Sequence, residues 1–172
     1  MILSKGANMN IIDYIKKNKD KTFDELPFTE IDNLIYSLLT YIDFSEVVPA
    51  FKSKKITLKD AAEKIKNKKK EHRGIFISDT FKMLQIMKDT KRYQNTLLYN
   101  YMKVVNTDMQ FGAMTMKLPD KSIYVSFAGT DSSIIGWEED FKMSYLYPGA
   151  SQKYASIYLN KAVSLFDKKV RV

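Results

Sequence analysis

The amino-acid sequence predicts an α/β fold, and three observations along the chain support that class. Residues 1–91 carry apolar side chains at helical spacing. Beyond residue 92 the chain changes to short runs rich in β-branched and aromatic residues, separated by turn-forming residues. A helical stretch and one more β-branched run follow, in the strand–helix–strand order of a parallel crossover. We therefore expect an N-terminal helical segment followed by a β-meander and one β-α-β crossover.

Four helices are expected in the first half. A short helix covers Ile11 to Lys17, and a second follows Thr29, a plausible N-cap with Asp32 as its capping-box acid. Its expected buried face consists of Ile31, Leu34, Ile35, Leu38, Leu39 and Ile42.

The third helix is expected after Thr57 and the fourth after Ser78 or Asp79. The apolar face of the third comprises Leu58, Ala61, Ala62 and Ile65, and that of the fourth Met83, Leu84, Ile86 and Met87, with Phe81 one turn before Leu84.

Two or three antiparallel strands are expected in "TLLYNYMKVVN", "FGAMTMKL" and "SIYVSFAG", because Asn, Asp and Pro residues break these runs. A long helix then starts near Gly149 and Ser151, and the final "KKVRV" resembles the opening of a further strand. The helix carries an i, i+4 stripe of Tyr154, Tyr158, Ala162 and Phe166, flanked by Ala155, Leu159 and Val163.

Composition excludes several classes of protein. The 45% hydrophobic and 13% aromatic content is typical of a globular chain. The absence of cysteine excludes disulfides and thiolate chemistry. No apolar run approaches the roughly 18 residues of a membrane-spanning helix. Since the N-terminus also lacks the pattern of a signal peptide, we expect a cytoplasmic protein.

A lysine-rich segment from Phe51 to Arg73 carries much of the net charge of +8. Such a segment can hold phosphate backbones or acidic lipid, although solvated helices often have the same composition. Lysine predominates over arginine, and no aromatic residues alternate with the lysines, which makes nucleic-acid binding through Lys52–Lys70 the weakest of the functional hypotheses.

The stretch "SFAGTD" is the one short motif that suggests catalysis. A strand ends at Gly129, whose small size allows a tight turn and the close approach of a ligand. Thr130 then offers a backbone N–H and a hydroxyl from a single residue, and two converging donors can stabilise a developing oxyanion. The alternative is an ordinary turn, which Asp131 would cap.

The longer stretch "IYVSFAGTDSSIIGWEEDF", with the helix after it, resembles the N-terminal half of a class 3 lipase-like α/β-hydrolase. The likeness is closest to a lipase-like branch of low-GC Gram-positive bacteria, and "FDELPFTEIDNLIYSLLTYIDF" resembles its helical N-terminal portion. It implies an incomplete α/β-hydrolase sheet, with residues 1–91 as the helical segment and 92–172 as the first half of the hydrolase core, the two forming one continuous domain that is truncated at the C-terminus. It also implies an oxyanion-hole role for Thr130. Family members carry arginine where this chain has Ala128.

The residues after the motif are expected to support its loop. Trp137 and Phe141 suit burial as anchors, and Asp140 suits hydrogen bonding to backbone amides. Neither Asp131 nor Asp140 suits the triad, because hydrolases of this fold place nucleophile, acid and base in that order.

The nucleophilic serine motif and a suitably placed histidine of the triad are not present in the sequence. No G-x-S-x-G occurs, and the sole histidine, His72, precedes the motif among charged residues. The resemblance therefore predicts a lipase or esterase portion that is inactive alone. One alternative is a non-catalytic binding or regulatory module derived from a hydrolase half-fold. Another is a basic module for nucleic acid or anionic membrane.

Other partners and cofactors are predicted only in outline. One histidine and no cysteine give no recognisable zinc site, and no glycine-rich phosphate loop is present, so we expect neither metal nor cofactor. An ester of a small molecule or lipid is the expected substrate of the full-length form. A strand edge near Val170 is expected to favour self-association.

Overall fold

The computed structural model describes residues 10–49, 55–66, 75–106, 109–128, 149–166 and 170–172. Five helices lie in these ranges: α1 Ile11–Lys17, α2 Glu30–Leu39, α3 Leu58–Lys66, α4 Ile75–Met87 and α5 Ala150–Leu165. The strands there are β1 Ile56–Thr57, β2 Leu97–Val105, β3 Gln110–Lys117, β4 Ile123–Ala128 and β5 Val170–Arg171.

The five strands form one open mixed sheet in the order β1-β2-β3-β4-β5. The first four are antiparallel neighbours, and β5 lies parallel to β4, with Val170 opposite Ile123. Because α5 connects these two parallel strands in sequence, the expected meander and β-α-β crossover are both present. The chain therefore has an α/β architecture.

Side chains of the sheet alternate between two separate cores. Met114, Met116 and Tyr124 join the larger core, which the first four helices fill. Ala113 and Val125 belong to the smaller core, which α5 covers. Since neighbouring residues of a strand point to opposite faces, the helical segment and α5 pack on opposite sides of the sheet.

Local sequence determines most of the helix starts. Thr29 and Asp32 form the expected reciprocal capping box, with Thr29 Oγ1 accepting from the Asp32 amide at 3.2 Å and Asp32 Oδ2 accepting from the Thr29 amide at 2.9 Å. Thr57 Oγ1 likewise accepts the Asp60 amide at 3.0 Å, at the start of α3. Both predicted N-caps are confirmed.

Two local predictions are wrong, and one strand was not predicted at all. Helix α4 begins at Ile75, three residues before Ser78, because the apolar pattern extends upstream and an internal serine or aspartate costs little in a helix. Leu34, which was expected on the buried face of α2, is 46% exposed. Tyr36 is buried in its place, because its hydroxyl finds a partner inside the core, Thr96 Oγ1 at 2.8 Å. Strand β1 was not expected, since two residues carry no periodicity.

Candidate functional site at the carboxyl end of strand β4

Strand β4 leads directly to the predicted oxyanion motif. Gly129, Thr130 and Asp131 follow its last residue, Ala128, and lie outside the described residues. Also outside them are the supporting residues Trp137, Asp140 and Phe141, and His72. The described part of the candidate site is therefore the end of strand β4 and the elements that pack against it.

A very close backbone approach marks the end of β4. Gly112 on β3 pairs with Ala128, and a Cβ atom added to Gly112 would lie 2.9 Å from the Ala128 Cβ. No real pair of Cβ atoms comes that close, so glycine is required at position 112 for this packing. Ala128, the last residue before the motif, therefore pairs with β3 at a point that has no room for a larger residue than glycine.

On the helical side of the sheet, Ser126 is anchored to the end of α2. Its hydroxyl lies 2.5 Å from Thr40 Oγ1, which donates its own proton to the Ser37 carbonyl at 2.9 Å. The Ser126 hydroxyl also reaches the Ser37 carbonyl, to which it donates at 3.4 Å. Ser126 is 4% exposed and its hydroxyl is engaged with Thr40 and Ser37, so among the described residues it serves as a structural anchor of β4.

On the α5 side, an aromatic cluster supports the same end of the strand. The ring of Phe127 lies 6.1 Å from Phe111 and 5.9 Å from Tyr158, and Phe111 also contacts Tyr154 at 5.8 Å. These centroid distances fall within the range of favourable aromatic pairs. Together they fix α5 against the strand that carries the motif.

Tyr158 also connects α5 to an irregular point in β2. Its hydroxyl donates to the Asn100 carbonyl at 2.7 Å and lies 2.9 Å from Thr115 Oγ1. Asn100 has a positive φ of 52° at a register shift between Tyr99 and Met102, a β-bulge that turns its carbonyl toward the helix. Burial raises the pKa of Tyr158, so the phenol stays protonated and acts as a structural donor.

A second, fully buried polar cluster lies on the helical side, centred on Arg92. Its Nε donates to Asp32 Oδ1 at 2.9 Å and its Nη2 to Asp32 Oδ2 at 2.6 Å. The other guanidinium protons reach the carbonyls of residues 22, 26 and 27 at 3.2, 2.8 and 3.3 Å. Both charged side chains are 0% exposed. This pair was not predicted from the sequence, because no local pattern links residues 60 positions apart.

The electrostatics of this cluster favour a structural role. Desolvation on burial raises the pKa of Asp32, but hydrogen bonds from Arg92, Tyr93 and the Thr29 amide outweigh it, and the net pKa is lowered. Tyr93 donates to Asp32 Oδ1 at 2.6 Å, and burial together with that bond raises its pKa. All five guanidinium protons have acceptors, which leaves none for a substrate.

The described part of the lysine-rich segment carries both signs of charge. Lys59 and Lys64 on α3 are exposed, but Asp60 and Glu63 lie between them, and Glu63 forms an ion pair with Lys88. Lys68, Lys69 and Lys70 lie outside the described residues.

An open cavity of about 640 Å³ lies beside β1 and is lined by Lys55, Asp60, Glu63 and Lys64 among others. Thr57 pairs with Leu97, Leu97 with Lys117, and Lys117 with Ile123. The cavity therefore lies at the end of the sheet opposite Ala128.

Within the ranges that the structure describes, no three Asp, Glu or His side chains lie close enough together to hold a metal ion. None of the helices in those ranges combines the length and the apolar character needed to cross a membrane.

Comparison with known proteins gives one match. A family model described as Mbeg1-like matches residues 87–172, a range that takes in β2, β3, β4, α5 and β5. No curated protein and no solved structure matches the chain. The matched range includes the strand and helix that frame the predicted motif.

Proposed function

The chain belongs to the Mbeg1-like family, and we propose that it carries the oxyanion-binding half of a lipase-like serine hydrolase. In this proposal Gly129 provides the turn after β4, and the amide and hydroxyl of Thr130 bind the carbonyl oxygen of an ester. The serine and histidine of the triad come from polypeptide beyond Val172. The 172-residue chain alone binds but does not hydrolyse.

The arrangement of β4, α5 and β5 is the observation that supports this proposal. Ligands of α/β sheets bind beyond the carboxyl ends of parallel strands. Strands β4 and β5 are adjacent and parallel, so their carboxyl ends point to the same edge. Val170 lies opposite Ile123, and three residues beyond Val172 would bring β5 level with Ala128. A nucleophile following that strand would lie at the same edge of the sheet as the end of β4, the strand that precedes Thr130 in sequence.

The chemistry assigned to Thr130 requires a rigid platform. Attack on an ester places negative charge on the carbonyl oxygen, and donors already in position stabilise that charge without rearranging. Ser126, Phe127 and Ala128 are each fixed by packing or hydrogen bonds to a different neighbour. Thr130 follows this rigid stretch by two residues, so the end of β4 limits where its donors can point.

The test compares the 172-residue chain with the product of the complete reading frame. Hydrolysis of p-nitrophenyl esters and labelling by a serine-directed fluorophosphonate are measured for both. We expect neither activity from the shorter chain and both from the longer product. In the longer product, Thr130→Val should lower kcat by about 100- to 1,000-fold, because one oxyanion donor is lost. Ser132→Ala, a hydroxyl deletion two residues further along the chain, is the matched control and should change kcat little.

Two results would contradict the proposal. One is a reading frame that supplies neither a nucleophile nor a histidine. The other is a longer product whose kcat is unchanged by Thr130→Val. Either result favours a non-catalytic binding module built on the same sheet.

A further inference from the structure

Strand β5 is very short, and its backbone alone holds it weakly on the sheet. Within the described ranges it consists of Val170 and Arg171, which lie opposite Ile123 and Tyr124 of β4. Val170 packs against the smaller core on the α5 side, so Arg171 faces the helical side of the sheet. Because two residues form few ladder hydrogen bonds, side-chain contacts must help to determine where this strand lies.

The side chain of Arg171 contacts two other parts of the fold. Its Nη1 donates to Asp120 Oδ2 at 3.1 Å and to Ser122 Oγ, both in the turn between β3 and β4. Its Cζ lies 4.6 Å from the centroid of the Phe28 ring, in the loop before α2. The side chains of Arg171 and Asp120 are 27% and 22% exposed, so solvent screens their ion pair less than a pair on the open surface.

Asp120 is held in place independently of Arg171. Its Oδ1 accepts from the Ser122 amide at 3.0 Å and from the Ser122 hydroxyl at 2.5 Å. Desolvation on burial raises the pKa of Asp120, but hydrogen bonds from Ser122 and Arg171 outweigh it, and the net pKa is lowered. The carboxylate is therefore charged at neutral pH and fixed in one orientation toward Arg171.

The apolar pattern alone leaves two registers open to β5. A slip by one residue would turn Val170 away from the smaller core and is excluded. A slip by two residues toward the carboxyl end of β4 would place Val170 opposite Val125, which belongs to the same core as Ile123. That slip would carry Arg171 about 6.6 Å along the sheet and away from Asp120. The Arg171 ion pair therefore distinguishes the two registers.

We propose that Arg171 is a positioning residue for the hydrolase site, because it fixes the register of β5 against β4. The inference rests on the proposed function, in which the nucleophile follows β5 and the oxyanion donors of Thr130 follow β4. A slip by two residues would displace the nucleophile by about 6.6 Å, whereas reacting atoms must lie about 3–3.5 Å apart. Arg171 acts on the alignment of the two strands and takes no part in the chemistry.

Disulfide cross-linking in the 172-residue chain measures the register directly, because the natural sequence has no cysteine. Ile123→Cys with Val170→Cys reports the register of the structure, and Val125→Cys with Val170→Cys reports the slip by two residues. We expect the first pair to form its disulfide faster than the second. Adding Arg171→Gln should lower the ratio of the two rates by about 10-fold, because a hydrogen bond between charged groups is lost.

Further variants separate this contact from a general loosening of the fold. Lys103→Gln is the matched control, because Lys103 forms an ion pair of the same length, 3.1 Å, with Asp43 on a strand that does not adjoin β5. It should leave the ratio unchanged. Arg171→Lys keeps the charge and should restore part of the ratio, and Asp120→Asn, which removes the acceptor's charge, should lower it.

The longer product tests the connection to catalysis. Arg171→Gln should lower its kcat for p-nitrophenyl esters by more than about 10-fold with little change in KM, because misalignment impairs the reaction more than the binding of the ester. Lys103→Gln should change neither constant.

Two results would overturn the positioning role. One is a cross-linking ratio that Arg171→Gln leaves unchanged or that Lys103→Gln lowers equally. The other is a shifted ratio with an unaltered kcat in the longer product. A shifted ratio together with a longer product that has no esterase activity would contradict the proposed function, and the assignment of Arg171 as the residue that fixes β5 would stand.

Discussion

The side chain of Arg92 connects the segment after α4 to the start of α2 and to the loop before α2. It bonds Asp32 at the start of α2 and the carbonyls of the loop before α2, and its guanidinium lies 4.2 Å from the centroid of Phe23. Burying two charges is costly, and only complete pairing offsets that cost. Because every guanidinium proton is paired here, the loss of either partner leaves an uncompensated charge in the core.

We predict that Arg92→Met lowers the free energy of unfolding by about 3–5 kcal/mol, since it leaves Asp32 charged and buried. Arg92→Lys should also destabilise the chain, because three donors cannot replace the five-donor fork. Lys91→Gln is the matched control: its ion pair with Glu25 spans 3.8 Å with both side chains more than half exposed, so about 1 kcal/mol or less is expected. Urea denaturation followed by circular dichroism gives all three values, and an Arg92→Lys chain as stable as wild type would contradict this account.

Single residues show what the sequence could and could not predict. Asp32 was predicted as a capping-box acid from its spacing to Thr29, and that local contact is confirmed. Its second partner, Arg92, depends on how the chain folds back over 60 positions, and no local pattern carries that information. Thr130 stays a prediction, because its environment lies outside the described residues.

At the scale of elements, the spacing between β3 and the end of β4 depends on the pair of Gly112 and Ala128. Cβ atoms of directly opposed strand residues normally lie about 4.5–5.5 Å apart. The 2.9 Å separation that a methyl group on Gly112 would create means that β3 and β4 must move apart.

Gly112→Ala should therefore lower the free energy of unfolding by about 1–3 kcal/mol, the usual cost of overpacking. Adding Ala128→Gly removes the opposing methyl group and should recover part of that loss, so the two substitutions are not additive. Thermal unfolding of the two single variants and the double variant completes the cycle. Additive losses would show that the contact with Ala128 is not the cause.

Element types were predictable where the local pattern was long or had a clear cap. The long helix α5, the meander β2–β4 and the capped helix α2 were all expected from periodicity. The start of α4 was predicted too late in the chain, because Ser78 and Asp79 resemble N-caps even when they lie inside a helix. Strand β1 was not predicted, because its two residues form a strand only through their pairing with β2.

At the scale of the whole molecule, the larger core draws on both compositional halves. Ile35 and Leu39 from the helical segment pack in one cluster with Met114 and Met116 of β3. Hydrogen bonds cross the same boundary, since the Tyr124 hydroxyl donates to Asn33 Oδ1 at 2.7 Å. The division near residue 92 stays a prediction from composition, and these contacts suggest how it can be tested.

We predict that the full chain unfolds in one transition and that residues 92–172 alone do not fold cooperatively. Without the first 91 residues, one face of the sheet would expose Met114, Met116 and Tyr124, and Arg92 would lose Asp32. A sheet with one uncovered apolar face favours aggregation over a unique fold. Far-UV and near-UV circular dichroism of the full chain should give coincident urea transitions, and the fragment should give no cooperative transition. Two separate transitions in the full chain, or a cooperatively folding 92–172 fragment, would show that the sheet and α5 form an independent unit.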